Sequence, residues 1–203
     1  MTADDLRCLD EEGHLVLPAH LAISREILLQ VEALFERAGE NAGHAFRVEP
    51  FTRTVGIAPT ETDPNAPGIF TPLTAERTVL RCVERLLDKE YELAAVRAHS
   101  SNPCALALDP LRPGPGAWAC QVLWLLDDFT EAGTAALRVV PGSHLEDPSL
   151  AMLPANLPAV SVTAPAGSAV VLQGRLWSGA AANPGNRHLR ALRCEYVRRA
   201  TQA

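Results

Sequence analysis

The chain is nearly without lysine: of its 18 basic residues only Lys89 is not arginine. Codon bias accounts for that skew, and no function follows from it. A surplus of positive charge is missing as well. The formal net charge is -6 and the pI near 5.5, which excludes nucleic acid or an anionic membrane as the main partner. No apolar run approaches the roughly 20 residues that cross a bilayer. The opening "MTADDLRCLDEEGHLVL" has no basic region leading into an apolar core, so no secretory signal is read there. The five cysteines, Cys8, Cys82, Cys104, Cys120 and Cys194, are odd in number and contain no C-x-x-C pair. That argues against a disulfide framework or a zinc knuckle and for reduced, mostly buried thiols in a cytoplasmic protein. Internal repeats and low-complexity tails are also lacking. What remains is one soluble domain over residues 1–203, with 47% hydrophobic and 21% charged residues.

Two helices are expected in the front half. Residues 24–38, "SREILLQVEALFERA", carry Ile27, Leu28, Val31, Leu34 and Phe35 at helical spacing, with Ser24 as N-cap and Gly39 as the stop. A second helix is expected over 72–89, with Thr71 as N-cap, Pro72 at the first helical position and a stripe of Val79, Leu80, Val83, Leu86 and Leu87. The Pro/Thr-rich stretch between them suggests a short strand plus a loop. From residue 91 the pattern changes. "YELAAVRA", "WACQVLWLLDD", "AALRVV", "AVSVTA", "SAVVLQ" and "LRALRCEYVRR" are short apolar or alternating runs separated by Pro/Gly/Asn/Asp signals. Strands after helices, without βαβ alternation, predict an antiparallel sandwich or barrel faced by helices.

The segment "GRLWSGAAANPGNRHLRALRCEYVRR" (174–199) passes from an aromatic through a tight turn into a strand studded with arginines, the pattern of an anion site. With "LDDFTE" and "RVVPGSH" upstream and "LDEEGHLVLPAHL" at 9–21, it resembles the phytanoyl-CoA dioxygenase family over nearly the whole chain. The resemblance implies a mainly β fold with flanking helices, a double-stranded β-helix (jelly roll, cupin-like). It also implies an ancestral site for iron(II) and 2-oxoglutarate, with His-x-Asp on one strand and a second histidine in an "LW-His-G" segment. Two histidines and a carboxylate on one face suit non-haem iron because they leave coordination positions open.

Here the first segment reads "CALALDPL", with Ala107 where the first histidine belongs and Asp109 at the carboxylate. The second reads "LWSGAAAN", with Ser178 at the distal histidine. The family's carboxylate-binding arginine, eleven residues past that histidine, falls on Leu189. Arg190 should point to the opposite face of its strand, and Arg193 has the right parity but sits roughly 13 Å further along. No metal and no cofactor are therefore expected. His14, His20, His44 and His144 read as ordinary surface or hydrogen-bonded residues. His99 and His188 fall near the barrel mouth, the two that could rescue a metal site.

The expected site consists of Asp109 and Arg193 as catalytic residues, with Ser178, Trp177, Arg190 and Ala107 binding substrate. Asp109 in apolar surroundings would have a raised pKa suited to acid/base work; as a turn residue before Pro110 it would merely accept backbone hydrogen bonds. Three readings stay open: a metal-independent isomerase, cyclase or lyase of bacterial specialised metabolism; a non-catalytic binder or scaffold; and an oxygenase with unconventional ligands. The expected partner is a small molecule. Homodimerisation or association with a related oxygenase stays open.

Overall fold

The computed structural model describes residues 2–40, 46–48, 52–57, 68–102, 111–130, 137–147 and 158–199. Helix α1 (Ala3–Glu11) leads into strand β1 (His14–Leu17) and helix α2 (Arg25–Glu40). Strands β2 (Phe46–Val48) and β3 (Thr52–Gly56) precede helices α3 (Thr71–Thr74) and α4 (Arg77–Leu87). Then come β4 (Tyr91–Ser101), β5 (Arg112–Pro113), β6 (Ala119–Leu125), β7 (Leu137–Val139), β8 (Val160–Val162), β9 (Ala169–Gln173), β10 (Trp177–Gly179) and β11 (Leu189–Arg198). They form two antiparallel sheets, ordered β1-β9-β6-β11-β4-β3-β2 and β5-β10-β7-β8. The two sheets face each other as a double-stranded β-helix, and the helices pack on the outer face of the larger one.

Alternation along the central strands creates two cores. Cys120, Val122 and Trp124 of β6 and Leu192, Cys194 and Tyr196 of β11 pack against the helices. Leu123, Leu125, Leu189 and Ala191 point between the sheets and meet Leu137, Val139 and Val162 of the smaller one. Burial on both faces explains why "ACQVLWL" reads as a continuous apolar run rather than an alternating one. Tyr196 is buried to its hydroxyl, which donates to the Thr74 carbonyl at 2.9 Å. Cys82, Cys120 and Cys194 are buried free thiols. Burial raises all three pKa values, to about 11 for Cys82 and about 12 for Cys194, so they stay protonated packing groups.

The helices depart from expectation in three places. α1 has a capping box: the Thr2 hydroxyl accepts from the Asp5 backbone and the Asp5 carboxylate from that of Thr2. The apolar pattern alone did not signal it. α2 begins where expected, with Ser24 Oγ accepting from the Ile27 amide at 3.2 Å, but it continues through Gly39 to Glu40. The helix expected over 72–89 is broken into α3 and α4. Glu76 adopts an extended conformation at the break, and its carboxylate accepts from the Val79 amide at 2.7 Å, so Glu76 starts a new helix. Thr71 is not the N-cap; it opens α3, and its hydroxyl accepts from the Gly68 amide at 2.9 Å. The predicted stripe survives, with Val79, Val83 and Leu87 fully buried and Leu80 and Leu86 packed beside them. No helix among the described residues is long and apolar enough to cross a membrane.

A charged clamp joins three of these elements. Arg190 on β11 donates from Nε and its backbone amide to Asp127 Oδ2, both at 2.8 Å, and from a terminal nitrogen to Asp127 Oδ1 at 2.7 Å. Its other terminal nitrogen reaches Glu32 Oε1 on α2 at 2.9 Å. The sequence places Arg190 among the substrate-binding residues. The structure commits it instead to this clamp, on the face of β11 opposite Leu189 and Ala191. The Asp127 hydrogen bonds hold the guanidinium pKa above its usual range. The next residue of the "LDDF" motif, Asp128, accepts from the Ala166 amide at 2.8 Å. Asp127→Asn should destabilise the fold by about 2–4 kcal/mol, because it weakens a fork bidentate to a carboxylate in a largely shielded place. Glu32→Gln, on the more exposed arm, should cost less than about 1 kcal/mol. Urea denaturation of the two variants checks the ranking.

Candidate functional site

Between the sheets lies a small cavity of about 60 Å³ that is partly open to solvent. Thr52, His99, Ser101 and Arg193 of the larger sheet face Ser178 and Gly179 of the smaller one across it, and Leu123, Phe129, Leu137, Leu189 and Ala191 form its apolar wall. Strand pairing sets this composition. Ala191 of β11 lies opposite His99 of β4, Leu189 opposite Ser101, and Arg193 opposite Arg97. Thr52 and Thr54 of β3 pair with Ser101 and His99 from the other side. Side chains two apart share a face, so Leu189, Ala191 and Arg193 turn inward together and Arg190 turns out.

The turn that closes the cavity has its own scaffold. Asn183, almost fully buried, donates to Ser101 Oγ at 3.1 Å and to the Arg187 carbonyl at 2.9 Å, and its side-chain oxygen accepts from the Gly185 amide at 3.2 Å. This Asx arrangement is why "NPGN" can reverse the chain between β10 in one sheet and β11 in the other. Asn183 escaped the sequence-level candidate set, although its place ahead of Pro-Gly is a turn signal. His188, expected near the mouth, directs Nδ1 at the Ser101 carbonyl, 3.2 Å away. His144 of "PGSH" sits buried with Nε2 3.0 Å from the Asp10 carbonyl. Gly13, at φ +79, passes so close that an added Cβ would lie 2.4 Å from the His144 ring.

Electrostatics concentrates on two cavity residues. His99 Nδ1 lies 3.0 Å from Thr54 Oγ1, while its Nε2 is shielded from solvent and has no hydrogen-bond partner. Burial, followed by the charges of Arg193 and Arg97, drives its pKa well below 6.5, so the ring is neutral at physiological pH. Arg193 Nε is likewise buried without a partner. Burial and the neighbouring Arg97 lower the Arg193 pKa, and Glu195 only partly compensates. Glu195 itself pairs with Arg97, at 3.3 Å.

The sequence-level candidates thus separate. Ser178 and Arg193 meet in the cavity, joined by His99, while Arg190 belongs to the clamp. Trp177 precedes Ser178 on β10 and is absent from the cavity lining; its amide donates to Ser143 Oγ at 3.0 Å. Ala107 and Asp109 lie outside the described residues, as do His44 and Cys104.

The model of the phytanoyl-CoA dioxygenase family matches residues 94–191, a span that includes β6, β10 and most of β4. A comparison with curated protein sequences finds no match. Solved structures share the fold. AviO1 from Streptomyces viridochromogenes Tue57 is 20% identical, with a TM-score of 0.72 over 99% of this chain and 96% of its own. SnoN, described as a non-heme alpha ketoglutarate dependent epimerase from nogalamycin biosynthesis, is 18% identical, with a TM-score of 0.74 over 96% of this chain and 80% of its own. SnoK, described as a carbocyclase of the same biosynthesis, is 18% identical with a TM-score of 0.66, covering 98% of this chain and 84% of that one.

The family implies iron, and the donors described here do not fit it. No three His, Cys, Asp or Glu side chains come together as a metal site among the described residues. The cavity lining contains one imidazole, His99, together with hydroxyls and a cation. First-row metals favour imidazole and carboxylate donors, and a guanidinium repels them.

The depressed histidine gives a pH dependence. His99 gains no proton on acidification while its unfolded counterpart does, so the unfolded state binds more protons below about pH 6.5. Stability should therefore fall as pH drops below that value, with up to about 1.4 kcal/mol per pH unit from this residue, and be flat in this respect above it. His144 and His188, whose pKa values burial also lowers, act with the same sign. In urea titrations from pH 7.5 to 5.5, His99→Gln should show a shallower slope than the wild type.

Proposed function

We propose that this chain is a metal-independent small-molecule enzyme of isomerase, cyclase or lyase type, built on a phytanoyl-CoA dioxygenase fold that has lost its iron and 2-oxoglutarate ligands. The observation that carries the reading is the cavity itself. It stays open between the sheets, and its lining includes Ser178 and Leu189, the residues that the resemblance sets at the family's distal-histidine and carboxylate-anchor positions. A fold kept only as a scaffold has no need of an open polar cavity, so the binder reading is the weaker one. That the same fold serves proteins described as an epimerase and a carbocyclase supports isomerisation or cyclisation as the reaction class. Their association with nogalamycin biosynthesis supports specialised metabolism as the setting. Both are described as alpha ketoglutarate dependent, and there this chain departs from them.

In the proposed mechanism Asp109 moves the proton. Without a bound cation to favour the carboxylate, apolar surroundings would raise its pKa toward the working range. Arg193 would position the anionic or carbonyl group of the substrate, and Ser178 would donate a hydrogen bond across the cavity. An isomerisation of this kind needs no oxidant, since the proton leaves one carbon and returns to the same or a neighbouring one. In an elimination the C–H pair forms the double bond and the leaving group departs with its own pair, again without a change of overall oxidation state.

Two experiments test this reading. After anaerobic incubation with iron(II), metal analysis should find well under one iron per chain, and 2-oxoglutarate should not be turned over; stoichiometric iron with succinate release overturns the proposal. Ala107→His with Ser178→His should create measurable metal affinity. Separately, Asp109→Asn keeps shape and removes proton transfer, so it should lower turnover of the natural substrate by about 10²-fold or more. The substrate is best sought as the intermediate that accumulates when the gene is deleted. Wild-type turnover by this variant would remove Asp109 from the mechanism.

A further inference from the structure

The described cavity holds an unbalanced charge. Arg193 makes no ion pair among the described residues, its Nε is buried without a partner, and Glu195, the described carboxylate that acts on it, is already engaged by Arg97. A shielded cation with no counter-ion is unfavourable. Proteins keep such a group where a ligand completes it. Beside it stands His99, one same-face step along and on the adjacent strand. This diagonal separates the backbones by about 7–8 Å, within reach of long side chains. A Thr54 hydroxyl that donates to Nδ1 leaves the proton on Nε2, a second shielded donor without a partner on a residue that lines the cavity. The family's own anchor position is Leu189 and supplies no donor, so these two nitrogens form a different site on a different part of the strand.

We propose that His99 Nε2 and Arg193 Nε together bind the carboxylate of a small organic acid without metal, its apolar body lying against Leu123, Phe129 and Leu137. Among the described residues, the charged groups around the pair are Arg97 and Glu195, which bond to each other at 3.3 Å, and the hydroxyls of Thr52, Thr54, Ser101 and Ser178 lie beside them. The pair therefore offers one net positive charge and two N–H donors, which matches a monocarboxylate. The neutrality of His99 suits a hydrogen-bond donor rather than a second cation. The inference rests on reading the cavity as a substrate pocket and names the substrate class. It does not depend on Asp109.

Benzoate serves as the probe, with benzyl alcohol as its uncharged analogue, in low-chloride buffer containing a chelator. On titration of the wild-type protein, benzoate should shift the His99 imidazole nitrogen resonances and bind at least tenfold more tightly than benzyl alcohol. Arg193→Gln should weaken benzoate at least tenfold, and Arg85→Gln, which removes a surface charge of the same sign, should leave it unchanged. Arg193→Met should also raise the melting temperature of the ligand-free protein by roughly 2–4 °C, by removing the uncompensated cation. Benzoate affinity unchanged by Arg193→Gln, equal affinity for benzyl alcohol, undisturbed His99 resonances, or binding that requires added iron would each overturn the proposal. Carboxylate binding without any turnover of the accumulating metabolite would keep this site and remove the enzyme reading. Turnover undiminished in Arg193→Gln and His99→Gln would do the reverse.

Discussion

Strand β11 can face in two directions only because Arg190 is fixed. The strand lies at the centre of the larger sheet, paired with β4 on one edge and β6 on the other. Its outward residues must satisfy the helical core and its inward ones the cavity. A one-residue slip would exchange them, placing Arg190 and Cys194 between the sheets and Arg193 against Cys120 and the helices. The fork from Arg190 to Asp127 specifies the register, because a guanidinium can satisfy that carboxylate bidentately in one alignment only. The backbone amide of Arg190 donates to the same carboxylate, which ties the register to the main chain as well. Glu32 then draws α2 onto the sheet.

With the register fixed, the polarity of the cavity follows from position along the strands. Leu189, Ala191 and the apolar side chains of the neighbouring strands meet the smaller sheet as a dry core. His99 and Ser101 stand beside them on β4, with Arg193 one same-face step along β11, and the cavity lies where these polar groups face the smaller sheet. No clash holds it open. The polar groups there lack enough mutual partners to close into one another, and the hydrogen bonds of Asn183 hold the connecting turn across the gap. Burial keeps His99 neutral while Arg193 supplies the charge, so each group limits what the other can do.

Much of this was legible beforehand, and the reasons differ by element. The strands announced themselves because β-branched and apolar runs lay between strong turn signals. Helix α2 announced itself because its stripe and Ser24 cap agreed. The break between α3 and α4 was hidden: the apolar stripe continues in phase across it, and a glutamate cap is not distinguishable from an ordinary surface glutamate. α1 was hidden for the opposite reason, with a clear cap but little apolar face; Leu9 is its one fully buried residue. In the site, parity along β11 correctly separated Arg190 from Arg193 by face. It could not tell which arginine had a carboxylate waiting, since Asp127 and Glu32 lie 63 and 158 residues from Arg190 in sequence. His99 was placed near the mouth, but nothing local to "RAHSSN" shows that Thr54 orients its ring or that Nε2 is left without a partner.

A sheet position freed from metal binding need not become inert. The backbone that presented the family's ligands still presents side chains to the same enclosed space, and the low polarity of that space strengthens any charge placed in it. On the proposed reading, serine and leucine at the ligand and anchor positions supply none of the donors that would organise a metal. They also bring no carboxylate of their own to compete with Arg193's prospective ligand. The jelly roll accommodates a polar cavity because the core under the helices lies away from it, while Leu123, Phe129, Leu137, Leu189 and Ala191 of the core between the sheets form its apolar wall.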